Sequence, residues 1–218
     1  FYVGGFDYIK FDPRVSLENA KDIDVIDFGE AERSLIRVIE AFKKKINFNL
    51  IEGIAFRDKN IITVNPLTKY IKCLDKLPFP SYHLMNMRNY FATMEDATHR
   101  GFIHEYHVQE KLLPLFTSRG CFHSCIFCAS YPYAQKKWRA HSAGYVIREM
   151  EYFSKKFKVG HFVFMDENMN ADIQRFERII NGFIKMKFKF KWSVPNGLRA
   201  DRLNRRILIK MQASGFQQ

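Results

Sequence analysis

The sequence predicts an α/β chain in two parts, and three observations predict it. Within residues 1–72, short apolar runs flank a stretch with helical spacing and close in a hairpin pattern. Between residues 73 and 112 that periodicity is lost, and Pro78, Pro80, Asn86, Asn89 and Gly101 punctuate an aromatic, polar stretch that reads as a linker. From residue 113 onward a strand, a loop and a helix recur three times, the alternation that builds a parallel sheet covered by helices.

The first part opens with Phe1-Tyr2-Val3 running into the glycine pair Gly4-Gly5. Glycines after a strand permit a tight turn or a close backbone approach to a ligand. Residues 24–28 read as a strand, followed by Gly29-Glu30-Ala31-Glu32 and a helix with Leu35, Val38, Ile39 and Phe42 as its apolar positions. Residues 53–57 and 61–64 read as the arms of a hairpin turning at Asp58-Lys59-Asn60.

In the second part, residues 113–117 form an apolar strand. A helix over 142–157 follows, with Ser142 as N-cap and Val146, Met150, Phe153 and Phe157 on one face. The second unit pairs a strand over 161–165 with a helix over 172–186, whose inward positions are Ile173, Phe176, Ile180, Phe183 and Ile184. The third pairs residues 188–194 with a helix over 204–213. Right-handed crossovers place all three strand ends on one rim, where parallel α/β folds carry their chemistry.

The first of those ends delivers Cys121-Phe122-His123-Ser124-Cys125-Ile126-Phe127-Cys128, so three of the four cysteines fall inside eight residues. Thiolates this close do not form a well-shaped set of disulfides, but a wrapped loop can turn them onto one metal centre. A closed zinc site or an ordinary electron-transfer cluster takes four protein ligands. Three cysteines on a four-iron cluster leave one iron open. A zinc knuckle completed by His123 or His141 is the other reading of the same residues. Cys73 stands apart as a free thiol, and His83, His99, His104 and His107 are scattered over the linker with no common face.

The C-x-x-x-C-x-x-C spacing, the aromatic before its last cysteine and the strand ahead of it resemble the signature of the radical S-adenosylmethionine superfamily. The resemblance implies that Cys121, Cys125 and Cys128 hold a 4Fe-4S cluster whose fourth iron binds S-adenosylmethionine, with Phe127 near the adenine. It implies that Asp166 and Glu167, after the second strand, hold the methionyl ammonium, which suits a carboxylate. After the third strand, Arg199 would pair with the methionyl carboxylate through its fork, and Ser193 or Asn196 would reach the ribose. The segment Lys136-Lys137-Trp138-Arg139 resembles one that covers the site in relatives.

Residues Val3-Gly4-Gly5, Asp27-Phe28-Gly29-Glu30-Ala31-Glu32, the hairpin and Leu77-Pro78-Phe79-Pro80-Ser81-Tyr82 resemble, in order, the subgroup with a cobalamin-binding domain ahead of the radical domain. That implies Gly4, Gly5, Gly29 and Glu30 lie along cobalamin, although Ala31 replaces a glycine common in the family. The implied architecture is the C-terminal part of a Rossmann-like cobalamin-binding domain over 1–72, a linker over 73–112, and the first half of a partial (βα)6 TIM-like barrel over 113–218. The implied reaction is methylation of an unactivated carbon by way of a 5'-deoxyadenosyl radical. Oxidative cyclisation or rearrangement without methyl transfer is the alternative, and a tRNA-modifying radical enzyme a more distant one, since only Cys73 lies outside the main motif. No catalytic side chain stands out.

Composition sets outer limits. With 218 residues, 47% of them hydrophobic, the chain can bury a sizeable core, and no apolar run is long enough for a spanning helix. An exposed cluster loop suits a reducing cytoplasm. The net charge of +12 is spread over separate lysine runs, which read as solvated helix ends rather than a nucleic-acid surface. Expected partners are therefore a small-molecule substrate and an external electron donor such as flavodoxin or ferredoxin. The start at Phe1, without Met, and the end at Gln218 suggest an internal piece of a longer chain.

Overall fold

The computed structural model describes residues 1–4, 12–44, 46–99, 110–128 and 137–217, with the backbone alone at 97–99. Gly5, Lys136, His104 and His107 lie outside the described residues, as do the side-chain contacts of His99. The chain divides into two compact units, Phe1–Lys72 and Cys73–Gln218.

In the first unit, β1 (Tyr2–Gly4), β2 (Val25–Asp27), β3 (Ile54–Asp58) and β4 (Ile61–Val64) form one sheet in that order. β1 runs parallel to β2, with Val3 opposite Ile26, and the remaining pairs are antiparallel. The β3–β4 turn is closed by Lys59 in the left-handed region (φ 54°). Strand alternation splits the apolar side chains between two faces. Val25, Ile54 and Phe56 meet Val38, Ala41 and Ile51, whereas Ile26 and Ala55 meet Leu17 of α1 (Pro13–Asn19), a helix not foreseen from the sequence.

Helix α2 (Ala31–Lys44) buries Ser34, Val38 and Ala41, and leaves Leu35, Ile39 and Phe42 largely exposed. Leu35, Ile39 and Phe42 were expected to face inward. Non-local chemistry decides the rotation. The Ser34 hydroxyl donates to the buried Asp27 carboxylate at the end of β2, and this bond turns the 34–38–41 stripe toward the sheet. Phe42 instead meets Phe48 edge-on, at 4.9 Å between ring centres.

The second unit holds a three-stranded parallel sheet, β5 (Leu112–Leu115), β8 (His161–Phe164) and β9 (Lys191–Ser193), in the order β5-β8-β9. A short antiparallel pair, β6 (Ser118–Arg119) and β7 (Arg139–Ala140), brackets the cysteine loop. Leu113, Leu115, Phe162, Phe164, Trp192 and Val194 pack on α4 (Ala143–Phe157), α5 (Ile173–Lys185) and α6 (Arg205–Ala213) in one core. Each of these helices starts on a side-chain cap. Ser142 accepts from the Tyr145 amide, Asp172 from those of Gln174 and Arg175, and Asn204 from that of Ile207. On α5 the buried apolar positions are Phe176, Ile179, Ile180 and Phe183, while Ile184 faces solvent, contrary to the expected stripe.

Residues 73–99 are not an irregular connection. They carry α3 (Met87–His99), and Phe79, Tyr82, Met87, Tyr90 and Phe91 pack against the core of the second unit. Tyrosine hydroxyls fasten the extended part: Tyr145 donates to the Leu77 and Pro78 carbonyls at 3.2 and 3.3 Å, and Tyr82 to that of Pro114 at 3.1 Å. Pro78 and Pro80 supply no N–H to a local ladder, so tyrosine side chains hold the segment, Tyr145 from α4 and Tyr82 from within it.

Candidate functional site at the cysteine loop

Strands β5, β8 and β9 run parallel, so their C-terminal ends share one side, and the expected site residues follow those ends. Cys121 is half-buried, while Cys125 and Cys128 are exposed, and none of the three is in a disulfide. The tip of the loop is bare: Ile126 is 102% and Phe127 88% exposed. Among the described residues, no three His, Cys, Asp or Glu side chains gather as they would around a single metal ion. His141 is turned away, stacked on Tyr145 at 3.9 Å and standing 3.4 Å from Asp75. Burial holds its pKa down to about 4, with Asp75 opposing.

The root of the loop is far better anchored than its tip. Gly120 enters it with φ 82°, a conformation that glycine adopts freely, and its amide donates to a Glu167 carboxylate oxygen at 3.1 Å. One residue earlier, Asp166 is fully buried and accepts from the Thr117 amide (3.0 Å), the Thr117 hydroxyl (2.8 Å) and the Ser118 hydroxyl. Burial raises its pKa, while the Ser118 and Thr117 hydrogen bonds and the Arg175 charge pull the other way. Both Asp166 oxygens thus tie the end of β8 to the strand that delivers the cysteines. Glu167, half-buried, is the acid of the pair that faces the loop.

Arg175, on the buried stripe of α5, was not foreseen as part of this assembly. It donates to the His141 carbonyl (2.6 Å), the Thr117 carbonyl (2.7 Å) and the Met169 carbonyl (3.5 Å), and lies over the Trp138 ring at 5.8 Å. Trp138 in turn donates to the Asn168 carbonyl at 3.0 Å, as expected of a residue that packs the loop. An arginine at an apolar stripe position, where 175 continues to 179 and 183, is the signal the sequence offered.

Asn168 and Asn170 were missed as well. The Asn168 amide nitrogen donates to the Cys121 sulfur at 3.7 Å, and its side-chain oxygen is buried without a partner. Asn170 is fully buried and clamps the Arg199 backbone twice, accepting from its amide and donating to its carbonyl, each at 3.0 Å. The Arg199 guanidinium is partly exposed and paired to Asp201 at 2.8 Å. Its pKa is raised, first by that bond.

The other two expected residues are committed elsewhere. Ser193 is buried with its hydroxyl 2.9 Å from the His161 ring nitrogen, and the Asn196 amide donates to the Met165 and Asp166 carbonyls at 3.1 and 3.3 Å.

In the first unit, Gly4 and Gly29 sit at the ends of β1 and β2, flanking Asp27. That carboxylate accepts from the Tyr2 hydroxyl (2.5 Å), the Gly29 amide (2.8 Å) and Ser34. A Cβ on Gly29 would stand 3.3 Å from Leu67 Cδ1 and 3.5 Å from the Gly53 Cα, so this glycine also lets the hairpin approach. Glu30 accepts from the Ile71 amide at 2.5 Å, which fastens the end of the unit.

No family model matches the chain. It is 25% identical over 215 residues to an uncharacterised methyltransferase of Pyrococcus horikoshii, covering 99% of this chain and 43% of that protein. With cytidylyl-2-hydroxyethylphosphonate methyltransferase of Streptomyces wedmorensis it shares 24% identity over 237 residues, 99% of this chain and 42% of that protein. With the anaerobic magnesium-protoporphyrin IX monomethyl ester cyclase of Cereibacter sphaeroides it shares 26% over 209 residues, 93% and 32%. The chain therefore spans less than half the length of these curated relatives.

Among solved structures, the fold is similar to that of TsrM from Kitasatospora setae, a radical S-adenosylmethionine methyltransferase. The TM-score is 0.70 at 14% identity, over 99% of this chain and 40% of that one. It is also similar to OxsB, a cobalamin-dependent S-adenosylmethionine radical enzyme, with a TM-score of 0.67 at 21% identity, over 98% and 28%. TsrM has been solved with cobalamin and a [4Fe-4S] cluster, and OxsB with aqua-cobalamin and S-adenosylmethionine. In sequence the chain is thus similar to two methyltransferases and a cyclase, and in fold to two radical S-adenosylmethionine enzymes.

Proposed function

We propose that this chain is the cofactor-holding part of a cobalamin-dependent radical S-adenosylmethionine methyltransferase, built from the later part of a cobalamin-binding layer and the first three units of a partial barrel. The observation that carries the reading is one constellation. Three cysteines, none in a disulfide, lie on a loop with a bare tip whose root is anchored by Glu167 from the next strand end, while Arg199 follows the third strand end with its backbone held by Asn170. The donor set fits a four-iron cluster, because each thiolate of such a cluster serves its own iron and three leave one iron for a ligand. When bound, the cluster and S-adenosylmethionine supply the 5'-deoxyadenosyl radical, and cobalamin supplies the methyl carrier.

The chain's own groups divide the remaining work. Cys121, Cys125 and Cys128 hold the cluster. Glu167 offers a carboxylate to the methionyl ammonium, while Asp166 keeps the loop in place. The part of the Arg199 fork not taken by Asp201 reaches the methionyl carboxylate, and Phe127 closes over the adenine. Asn196 remains the ribose contact of this reading, with Ser193 behind it. Gly4, Gly5 and Gly29 give cobalamin a backbone without side chains, and Glu30 secures their layer. The substrate is a small molecule, electrons come from a flavodoxin or ferredoxin, and the setting is the cytoplasm.

The relationship to the cyclase supports a second reading, radical ring formation without methyl transfer. Anaerobic turnover of the full-length protein with reductant and S-adenosylmethionine separates the two. Both 5'-deoxyadenosine and S-adenosylhomocysteine are expected, the latter only with cobalamin. Deoxyadenosine alone would favour cyclisation, and zinc in place of iron in the purified protein would overturn the cluster reading.

A further inference from the structure

We infer that Asn168 is a hydrogen-bond donor to the Cys121 ligand sulfur and sets the reduction potential of the cluster, a role that rests on the cluster reading above. The Asn168 amide nitrogen lies 3.7 Å from Cys121 Sγ. Sulfur's larger radius puts an N–H···S bond well beyond the N–H···O norm of about 2.9–3.0 Å. The side chain is 3% exposed, so water does not compete for the sulfur from that direction. Its backbone is fixed by the Trp138 ring N–H on the Asn168 carbonyl, and Trp138 is itself backed by Arg175. The donor is therefore held in position rather than sampled.

The three cysteines are unequal in this respect. Cys121 is half-buried against Asn168, while Cys125 and Cys128 are exposed. A donor on a ligand thiolate withdraws negative charge from the sulfur and stabilises the more negative, reduced cluster, and hydrogen bonds to sulfur are among the levers that place such potentials. The Asn168 side-chain oxygen is buried and has no partner. An unsatisfied buried acceptor is costly, and the N–H···S bond gives a reason for the amide to be there. Asn168 does not ligate iron and is a positioning and tuning residue.

The test uses the full-length protein, anaerobically reconstituted and free of S-adenosylmethionine. Wild-type protein labelled with 15N at asparagine side chains should show a nitrogen hyperfine coupling to the reduced cluster in pulsed electron paramagnetic resonance. In Asn168→Leu, of similar shape but without the N–H, that coupling should vanish and the midpoint potential should shift to a more negative value at unchanged iron per chain. Asn168→Ala, which needs no repacking to fit, should shift it the same way. A loaded wild type without the coupling, or an unshifted potential in a loaded variant, overturns the role of Asn168 and leaves the cluster reading standing. A wild type that takes up zinc but no iron overturns both.

Discussion

Glu149 lies on the buried stripe of α4 between Val146 and Met150, and one of its carboxylate oxygens has no partner. Burial first, and the neighbouring Asp166 charge second, push its pKa from 4.5 up to about 8. An acid that holds its proton more tightly in the fold than in the unfolded chain makes stability fall as pH climbs between those two values. Wild type and Glu149→Gln share the rise in stability between about pH 5 and pH 7 that comes from His141 and His161, whose pKa burial holds down to about 4. The denaturant midpoint of wild type should therefore fall relative to that of Glu149→Gln as pH climbs from 5 to 9. The variant should gain about 1–3 kcal/mol over wild type at the alkaline end, and parallel midpoint curves would refute this. At the rim, Arg199→Ala should weaken S-adenosylmethionine binding about ten- to a hundredfold in anaerobic calorimetry, with iron content unchanged. Equal affinity would show that Arg199 serves only Asp201.

Helices α4 and α5 cross closely at Gly182, where an added Cβ would stand 2.1 Å from Ile147 Cδ1 and 2.8 Å from its Cγ1. Gly182→Ala gains about 1 kcal/mol of helix propensity but must displace Ile147, and it should cost a net 1–3 kcal/mol or so. In the background of Ile147→Ala the same change should be neutral or stabilising, so a thermal double-mutant cycle should show coupling of about 1–2 kcal/mol. At this scale the sequence was legible wherever the determinant is local. The hairpin at 58–60, the Ser142 cap and the helix starts at 172 and 204 all depend on neighbours a few residues away. It was illegible where a distant group decides. The rotation of α2 is set by Ser34 meeting Asp27, and the ordering of residues 73–99 by Tyr145 and by Tyr82 on Pro114.

Across the whole molecule the same division holds. The three cysteines could be picked out as candidate ligands from their spacing, because that pattern lies within one loop. Which acid of Asp166-Glu167 turns inward could not, because Thr117 and Ser118 at the start of β6, with Arg175 from α5 behind them, settle it. Since the loop tip carries no part of the core, Cys125→Ala should lose most of the iron while its far-ultraviolet circular dichroism and the packing of α4, α5 and α6 stay those of wild type. A variant that keeps its full iron would sink the ligand assignment. The buried suspension of the loop by Asp166, Arg175 and Trp138 also separates two obligations that many sites fuse. Phe122, Ser124 and Ile126 face solvent, so they can be exchanged in a randomised library without touching the groups that keep the loop in shape, and the scaffold should still fold.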